Sequence, residues 1–263
     1  MVNFETACIC DVGKKRTVNQ DKIFWETAVH EGKTYALFAV ADGMGGLSGG
    51  EWAAEICMER LMDWWEEHIM EASARPSPLD ARQTLYDAFS LANASVQEAS
   101  RRNGKSMGST LSAVYFCDSE YIIAHAGDCR IYKIKRRSAD ILISDHTWVT
   151  RQVEAGLLAG DKAENHPQRH VLVNCIGSSG NFFVDITTNN LSAGEVLLIC
   201  SDGLYKYIKL RSMPKYFRKY GIKQGLNQIL EYIYRLPADD NISGLAVRIA
   251  GQGFSVKNLF LNA

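Results

Sequence analysis

Five aspartates stand where an apolar or β-rich run gives way to a turn. They are Asp21 in Asn19-Gln20-Asp21, Asp42 in Ala41-Asp42-Gly43, Asp128 in Gly127-Asp128, Asp202 in Cys200-Ser201-Asp202-Gly203, and Asp240 in Asp239-Asp240-Asn241. One such Asp is ordinary turn chemistry. Several gathered on one sheet edge would bring carboxylates together, and clustered carboxylates repel unless positive charge lies between them. Hard divalent ions such as Mg²⁺ and Mn²⁺ meet that need, taking oxygen ligands in octahedral geometry. Glycine next to Asp42 and Asp202 lets a backbone carbonyl approach a ligand closely. Two ions bridged by one aspartate can activate a water and clamp a phosphoryl oxygen. An arginine close by would hold the remaining phosphate oxygens bidentately, and Arg16, shortly before Asp21, is the candidate.

The elements that must position these residues are legible in part. Two long segments have helical periodicity. From about Gly50 to Ala72 the apolar residues are Ala53, Ile56, Cys57, Leu61, Trp64, Trp65 and Ile69. From about Leu79 to Arg101 they are Leu85, Ala88, Phe89, Ala92, Val96 and Ala99. The loop Ser73–Pro78 joins the two. Shorter helices are expected over Trp148–Glu154 and Gln224–Tyr234. Strands are expected at Tyr35–Ala41, Thr110–Phe116, Tyr121–His125, Arg130–Lys135, Ile141–Ile143, Val196–Cys200 and Leu245–Ile249, and the alternation around Cys8 and Cys10 also suits a strand. Cys117-Asp118-Ser119-Glu120 reads as a hairpin turn and Gly127-Asp128 as a second, tighter one. Consecutive strands with short turns imply antiparallel pairing. The fold class is therefore α+β: two antiparallel sheets with helix pairs outside, in one domain spanning residues 1–263.

Composition narrows the class. Apolar residues make up 46% of the 263, enough for a sizeable core. The formal charge is -1, which gives no support to a nucleic-acid or membrane-surface role. Seven cysteines without CxxC spacing read as small buried hydrophobes in a reducing compartment rather than a disulfide framework or zinc site. The start of the chain lacks a signal-peptide pattern and no run of eighteen apolar residues occurs, so the expected location is the cytoplasm.

The ordered motifs carry a family resemblance. Arg16-Thr17-Val18-Asn19-Gln20-Asp21, Asp42-Gly43-Met44-Gly45-Gly46 with Gly50-Glu51, Gly108-Ser109-Thr110, Ala126-Gly127-Asp128-Cys129-Arg130, Asp145-His146, Cys200-Ser201-Asp202-Gly203-Leu204 and Asp239-Asp240-Asn241-Ile242-Ser243 follow one another through nearly the whole chain. In this the chain resembles the PPM (PP2C-like) Ser/Thr protein phosphatases of small bacterial type. The resemblance implies a four-layer αββα sandwich with Mn²⁺ or Mg²⁺ held at one end between the sheets, two ions with room for a third. It implies that Asp42 bridges the ions, that the Gly43 carbonyl and Asp202 and Asp240 are direct ligands, and that Asp21 acts through water. Asp128 resembles the ligand of the third, weaker ion beside Asp202, and Arg16 the phosphate-holding arginine. Residues from about 150 to 180 resemble the flap beside the active site. The implied partner is a phosphorylated protein, with a Ser/Thr kinase whose work is reversed, and the chain is expected to act as a monomer.

Some positions depart from the pattern. Met44 stands where many eukaryotic members have a histidine proposed as general acid, so water is left to protonate the leaving oxygen. Leu47 replaces a histidine common in bacterial members, Gln20 a glutamate, Cys129 a serine and Ser243 a threonine. Two other function classes compete: a pseudophosphatase that binds phosphoproteins, and a different two-metal hydrolase such as a nuclease. All of Asp42, Asp202 and Asp240 are present, against the first, and no basic groove is evident in the composition, against the second. Cys200 is not followed by a Cys-x5-Arg phosphate loop and reads as a core cysteine. His125 reads as a hydrogen-bonded core residue, His166 and His170 as loop residues, and Trp64-Trp65 as helix packing.

Overall fold

A computed structural model describes residues 2–45 and 49–250. Among these described residues eleven strands form two sheets in which all neighbouring strands are antiparallel. The first sheet has the order β1 (Phe4–Asp11), β11 (Ile242–Ile249), β10 (Val196–Cys200), β7 (Arg130–Ile134), β8 (Ala139–Ile141). The second has the order β2 (Asp21–His30), β3 (Lys33–Met44), β5 (Leu111–Cys117), β6 (Glu120–Ala126), β9 (Asp185–Asn190), with the short β4 (Gly108–Ser109) paired to the end of β3.

Strand alternation builds the layers. On β3, Ala36, Phe38 and Val40, with Phe116 of the neighbouring β5, face the other sheet and meet Leu197 and Leu245. The intervening Tyr35, Leu37, Ala39 and Ala41 face outward onto the helices α1 (Gly49–Trp65) and α2 (Ala81–Asn103). Both tryptophans of the Trp64-Trp65 pair are buried in that layer. On the far side, Leu198, Cys200 and Ala246 meet Phe217, Leu226 and Ile229 of α6 (Met213–Tyr234). Gly221, at φ 76° and ψ 176°, breaks α6 into two legs, so a pair of helical segments covers this sheet as well. The expected αββα layering is the observed one. The remaining helices are short: α3 (Trp148–Glu154), α4 (Gly160–Ala163) and α5 (Asp202–Tyr205).

Several local expectations need correction. Gly127-Asp128 is no hairpin turn, because β6 and β7 belong to different sheets and the chain crosses between them there. Gly127 makes the crossing at φ 122°, where a Cβ would lie 2.5 Å from the Thr110 side chain. The strand expected at Ile141–Ile143 sits at Ala139–Ile141 instead. Edge strands β2 and β9 were not anticipated: β9 reads Asp-Ile-Thr-Thr-Asn-Asn with an exposed face, and β2 buries fully only Asp21. The helix expected from Gln224 starts at Met213, its first leg being hidden by the glycine break. Cys10 is exposed and Cys8, Cys117 and Cys175 are only half-buried, rather than buried as expected, whereas Cys200 is buried as read, along with Cys57 and Cys129.

Candidate metal centre

Register places the first two carboxylates. Asp21, the first residue of β2, lies directly opposite Asp42 on β3. Like charges facing across a strand pair repel, yet the backbone fixes both. The Asp42 N–H donates to Thr110 Oγ1 at 2.9 Å, and its carbonyl accepts from the Thr110 N–H at 2.9 Å and from Ser109 Oγ at 3.1 Å. Gly43 follows, its N–H bonded to the Gln20 carbonyl at 3.1 Å. A Cβ at Gly43 would stand 2.1 Å from the Gly50 carbonyl, so only glycine fits where this backbone passes the start of α1.

The other sheet supplies the remainder. Asp202 opens α5 just past β10, and Asp240 lies just before β11. Ser201 links the sheets: its Oγ donates to Asp21 Oδ2 at 2.8 Å and accepts from the Ser243 N–H at 3.1 Å. Asp128 arrives from the β6–β7 crossing and is buried. Thus all five predicted aspartates converge at one end of the sandwich.

Their electrostatics show what the cluster lacks. Burial raises the Asp21 pKa to about 7, against hydrogen bonds from Ser201 and Ser243, with the charges of Asp202 and Asp240 adding to the rise. Asp128 is also raised to about 7, by burial and then by Asp202 and Asp145. Asp42 is half-buried at the mouth of the site; the surrounding protein, then Asp21, Asp202, Asp128 and Asp240, holds its pKa well above the ordinary value. Asp202 Oδ1 is buried without any hydrogen-bond partner, while Oδ2 meets the Lys206 ammonium one helical turn on. An orphaned carboxylate oxygen beside carboxyls destabilised as anions suits a hard cation. Among the described residues no three such side chains yet close around a single point. Two carboxylates carry basic partners instead: Asp202 has Lys206, and Asp240 Oδ1 has Arg16 Nη2 at 3.0 Å. The residues present fit divalent ions, with Asp42, Asp202, Asp240 and the Gly43 carbonyl as the candidate donors.

Arg16 is half exposed, and its Nε donates to the Asp239 carbonyl at 3.2 Å. Its loop is held by Asn241, a residue to which the sequence reading gave no role. The buried Asn241 side chain donates to the carbonyls of Val12 at 2.9 Å and Val18 at 3.0 Å, and accepts from the Gln20 N–H at 3.0 Å. Gln20 uses its own amide on the Gly45 carbonyl at 3.1 Å.

The roles of Lys206 and His146 were missed as well. Burial works against the Lys206 ammonium, but Asp202, Asp128 and Asp240 outweigh it and raise its pKa. The i,i+4 spacing from Asp202 was available in the sequence. His125 and His146 grip the Gly127 peptide that carries Asp128. His125 Nε2 lies 3.0 Å from the Gly127 carbonyl, and the Gly127 N–H donates to His146 Nδ1 at 3.1 Å. His146 Nε2 stands 3.0 Å from Asp185 Oδ2. Burial, reinforced by His146, lowers the His125 pKa to about 3, so it is the neutral core residue expected. Residues 150–180 lie alongside, pinned by bridges from Thr147 to Leu172 and from Ser109 to Ile176. His166 stacks on Trp148 at 5.0 Å, and His170 is exposed. Leu47 and Gly46 lie outside the described residues.

A family model described as Protein phosphatase 2C matches residues 13–231. The chain is 31% identical over 205 residues to protein phosphatase PhpP of Streptococcus pneumoniae, spanning 78% of this chain and 80% of that one. A serine/threonine phosphatase structure from S. agalactiae superposes with a TM-score of 0.83 at 26% identity, over 94% of this chain and 100% of that one. The catalytic domain of the phosphatase PstP, solved with two manganese ions, shares the fold at a TM-score of 0.78 and 20% identity, over 95% and 100% of the two chains. With a family model spanning most of its length and a relative of this identity over most of both sequences, the chain belongs to the protein phosphatase 2C family.

Proposed function

We propose that the chain removes phosphate from serine and threonine side chains of proteins, as a single domain in which residues 150–180 flank the site. The observation that carries the mechanism is the facing pair Asp21 and Asp42, joined by an Asp202 oxygen that is buried and unpartnered. Asp42, Asp202, Asp240 and the Gly43 carbonyl would hold two Mn²⁺ or Mg²⁺ ions, with Asp42 between them and Asp21 acting through water. Asp128 stands ready for a third, weaker ion beside Asp202. Bound ions supply Lewis acidity, polarising the phosphoryl oxygens and lowering the pKa of a water.

The protein's own residues do the rest. Arg16 has five N–H groups and commits two in this structure, so it can turn a fork toward phosphate oxygens at the open end of the site. Asn241 fixes the loop that aims it. Ser201 keeps one Asp21 oxygen occupied and so orients the other. Met44 offers no proton, which leaves the departing serine or threonine oxygen to be protonated by water. Displacement is direct, without a covalent enzyme intermediate. The reaction opposes a Ser/Thr kinase, by analogy with the family. Among the described residues no helix is long and apolar enough to cross a membrane. We read the chain as a cytoplasmic monomer that acts on phosphorylated proteins.

The test is hydrolysis of p-nitrophenyl phosphate and a phosphothreonine peptide by EDTA-stripped protein, with and without Mn²⁺. Activity should appear with Mn²⁺ and vanish in Asp42→Asn. Folded, Mn²⁺-loaded protein that is silent on both substrates would leave a phosphoprotein-binding module. Trapping a phosphorylated side chain during turnover would overturn direct displacement.

A further inference from the structure

The near-zero net charge conceals two opposed faces. Between Glu51 and Glu71 seven acidic residues meet a single arginine, Arg60. Between Lys206 and Arg235 eight basic residues meet a single acid, Glu231. Lys209, Arg211, Lys215, Arg218, Lys219 and Lys223 all project from α6 and its approach as exposed side chains. Among the described residues none of these six is paired with a carboxylate. Arg130, Lys133, Lys135 and Arg248, by contrast, each have a carboxylate partner, though exposed cations such as Lys33, Lys105 and Arg136 are likewise unpaired among the described residues. An uncompensated cluster of like charge raises the local potential by several kT and weakens the free protein by self-repulsion.

The same element carries a groove. Because α6 folds back at Gly221, its legs lie close enough that a Cβ on Gly225 would come within 3.1 Å of the Tyr216 carbonyl. Between the legs is a cavity of about 180 Å³ lined by Tyr216, Tyr220 and Tyr232, by Lys215 and Arg235, and by Gln228 and Glu231, whose side chains bond each other at 3.0 Å. Tyrosine and arginine are enriched at protein interfaces, while the lysines supply the field that draws in an acidic partner. The groove is also tied to the site: Lys14 Nζ bonds the Tyr234 carbonyl at 2.8 Å, and Tyr234 Oη bonds Asp11 at 2.5 Å. Lys14 lies on the loop that carries Arg16, and Asp11 ends the strand β1 that leads into it.

We propose that the outer face of α6 docks an acidic segment of the phosphoprotein substrate. Aspartate, glutamate or further phosphorylated side chains lie against Lys215, Arg218, Lys219 and Lys223, an apolar side chain enters the tyrosine-lined groove, and the residue to be dephosphorylated reaches the aspartate cluster. The inference rests on the phosphatase reading and adds a substrate class to it. Charge complementarity selects an acidic protein segment, and the link to the Arg16 loop selects a substrate over an unrelated partner.

The test uses the full chain and the variant Lys215→Glu/Arg218→Glu/Lys219→Glu, none of whose positions is in the catalytic machinery. With Mn²⁺ present, kcat and KM are measured on p-nitrophenyl phosphate, on a phosphothreonine peptide with an acidic tract and on one with a neutral tract. KM for the acidic peptide should rise about tenfold in the variant, with kcat and both other substrates unchanged. The wild-type advantage for the acidic peptide should fade as salt is raised, and the variant should show no such slope. A neutralising set, Lys→Gln and Arg→Gln at the same positions, should give an intermediate KM. Equal KM values for wild type and variant on the acidic peptide would overturn the proposal. So would an effect of the substitutions confined to binding of an oligonucleotide or an anionic vesicle. If the wild type hydrolyses nothing, the phosphatase reading fails by itself. Fluorescence anisotropy of the acidic peptide then decides docking, where equal affinity for wild type and variant would again overturn it.

Discussion

Lys206 occupies one carboxylate oxygen of Asp202 while the other oxygen of the same group is buried without a partner. The ammonium thus competes with any cation that Asp202 is to hold, and its charge also acts on Asp128 and Asp240. Lys206→Met should tighten Mn²⁺ binding about three- to tenfold, the size of one like charge removed near a site of intermediate dielectric. Isothermal titration calorimetry on EDTA-stripped protein measures it. Unchanged or weaker affinity would mean that Lys206 orients Asp202 rather than competing.

Asp21 gives a pH dependence with a definite sign. Its folded pKa is raised from 3.8 to about 7, so the folded state prefers the protonated form. The associated stability is full below about pH 4 and is lost as pH rises through 7. In metal-free protein Asp21→Asn should therefore gain about 1–3 kcal/mol over wild type at pH 8 and nothing at pH 4. Comparing the two proteins cancels His125, which acts in the opposite direction below its unfolded value of 6.5. Urea unfolding with EDTA across this range decides it, and a gain that does not vary with pH would contradict the assignment. Adding Mn²⁺ should reverse the ranking at pH 8, since ligands must be deprotonated to bind.

Asp42→Asn separates chemistry from folding. Activity should fall more than about 100-fold through loss of the bridging ligand. The metal-free melting temperature should hold or rise, because a carboxyl facing four others has been neutralised. A large fall in melting temperature would show that Asp42 is a structural residue first.

Asn241→Ala removes three hydrogen bonds at a buried position. It should cost about 2–3 kcal/mol of stability, since the carbonyls of Val12 and Val18 lose their donor. The arginine loop would also loosen, so KM for p-nitrophenyl phosphate should rise while affinity for Mn²⁺ changes little. Calorimetry and steady-state kinetics on one preparation test both halves.

The aspartates were legible because acid and glycine beside a β-rich run is a local pattern, and local patterns survive in sequence. The pairing of Asp21 with Asp42 was not legible, because it depends on the β2–β3 register, and β2 has no clean alternation to reveal it. Asn241 and His146 act through bonds to residues 221 and 19 positions away, which no spacing rule reports. The crossing at Gly127 was misread since a short Gly-Asp connection looks alike whether the next strand stays in the sheet or leaves it. The basic face of α6 was present in the residue order but cancelled in the total charge by the acids of α1 and the turn after it.

β1 pairs with β11 along its full length, from Phe4 opposite Ile249 to Asp11 opposite Ile242. On the ribosome the first strand to emerge must therefore wait for the last. Asp240, immediately ahead of β11, arrives equally late. A nascent chain can assemble the second sheet and α1 and α2 early, yet its first sheet keeps an open edge and its aspartate cluster stays incomplete until residues 240–249 have emerged. Any metal capture by the full cluster waits on the same segment.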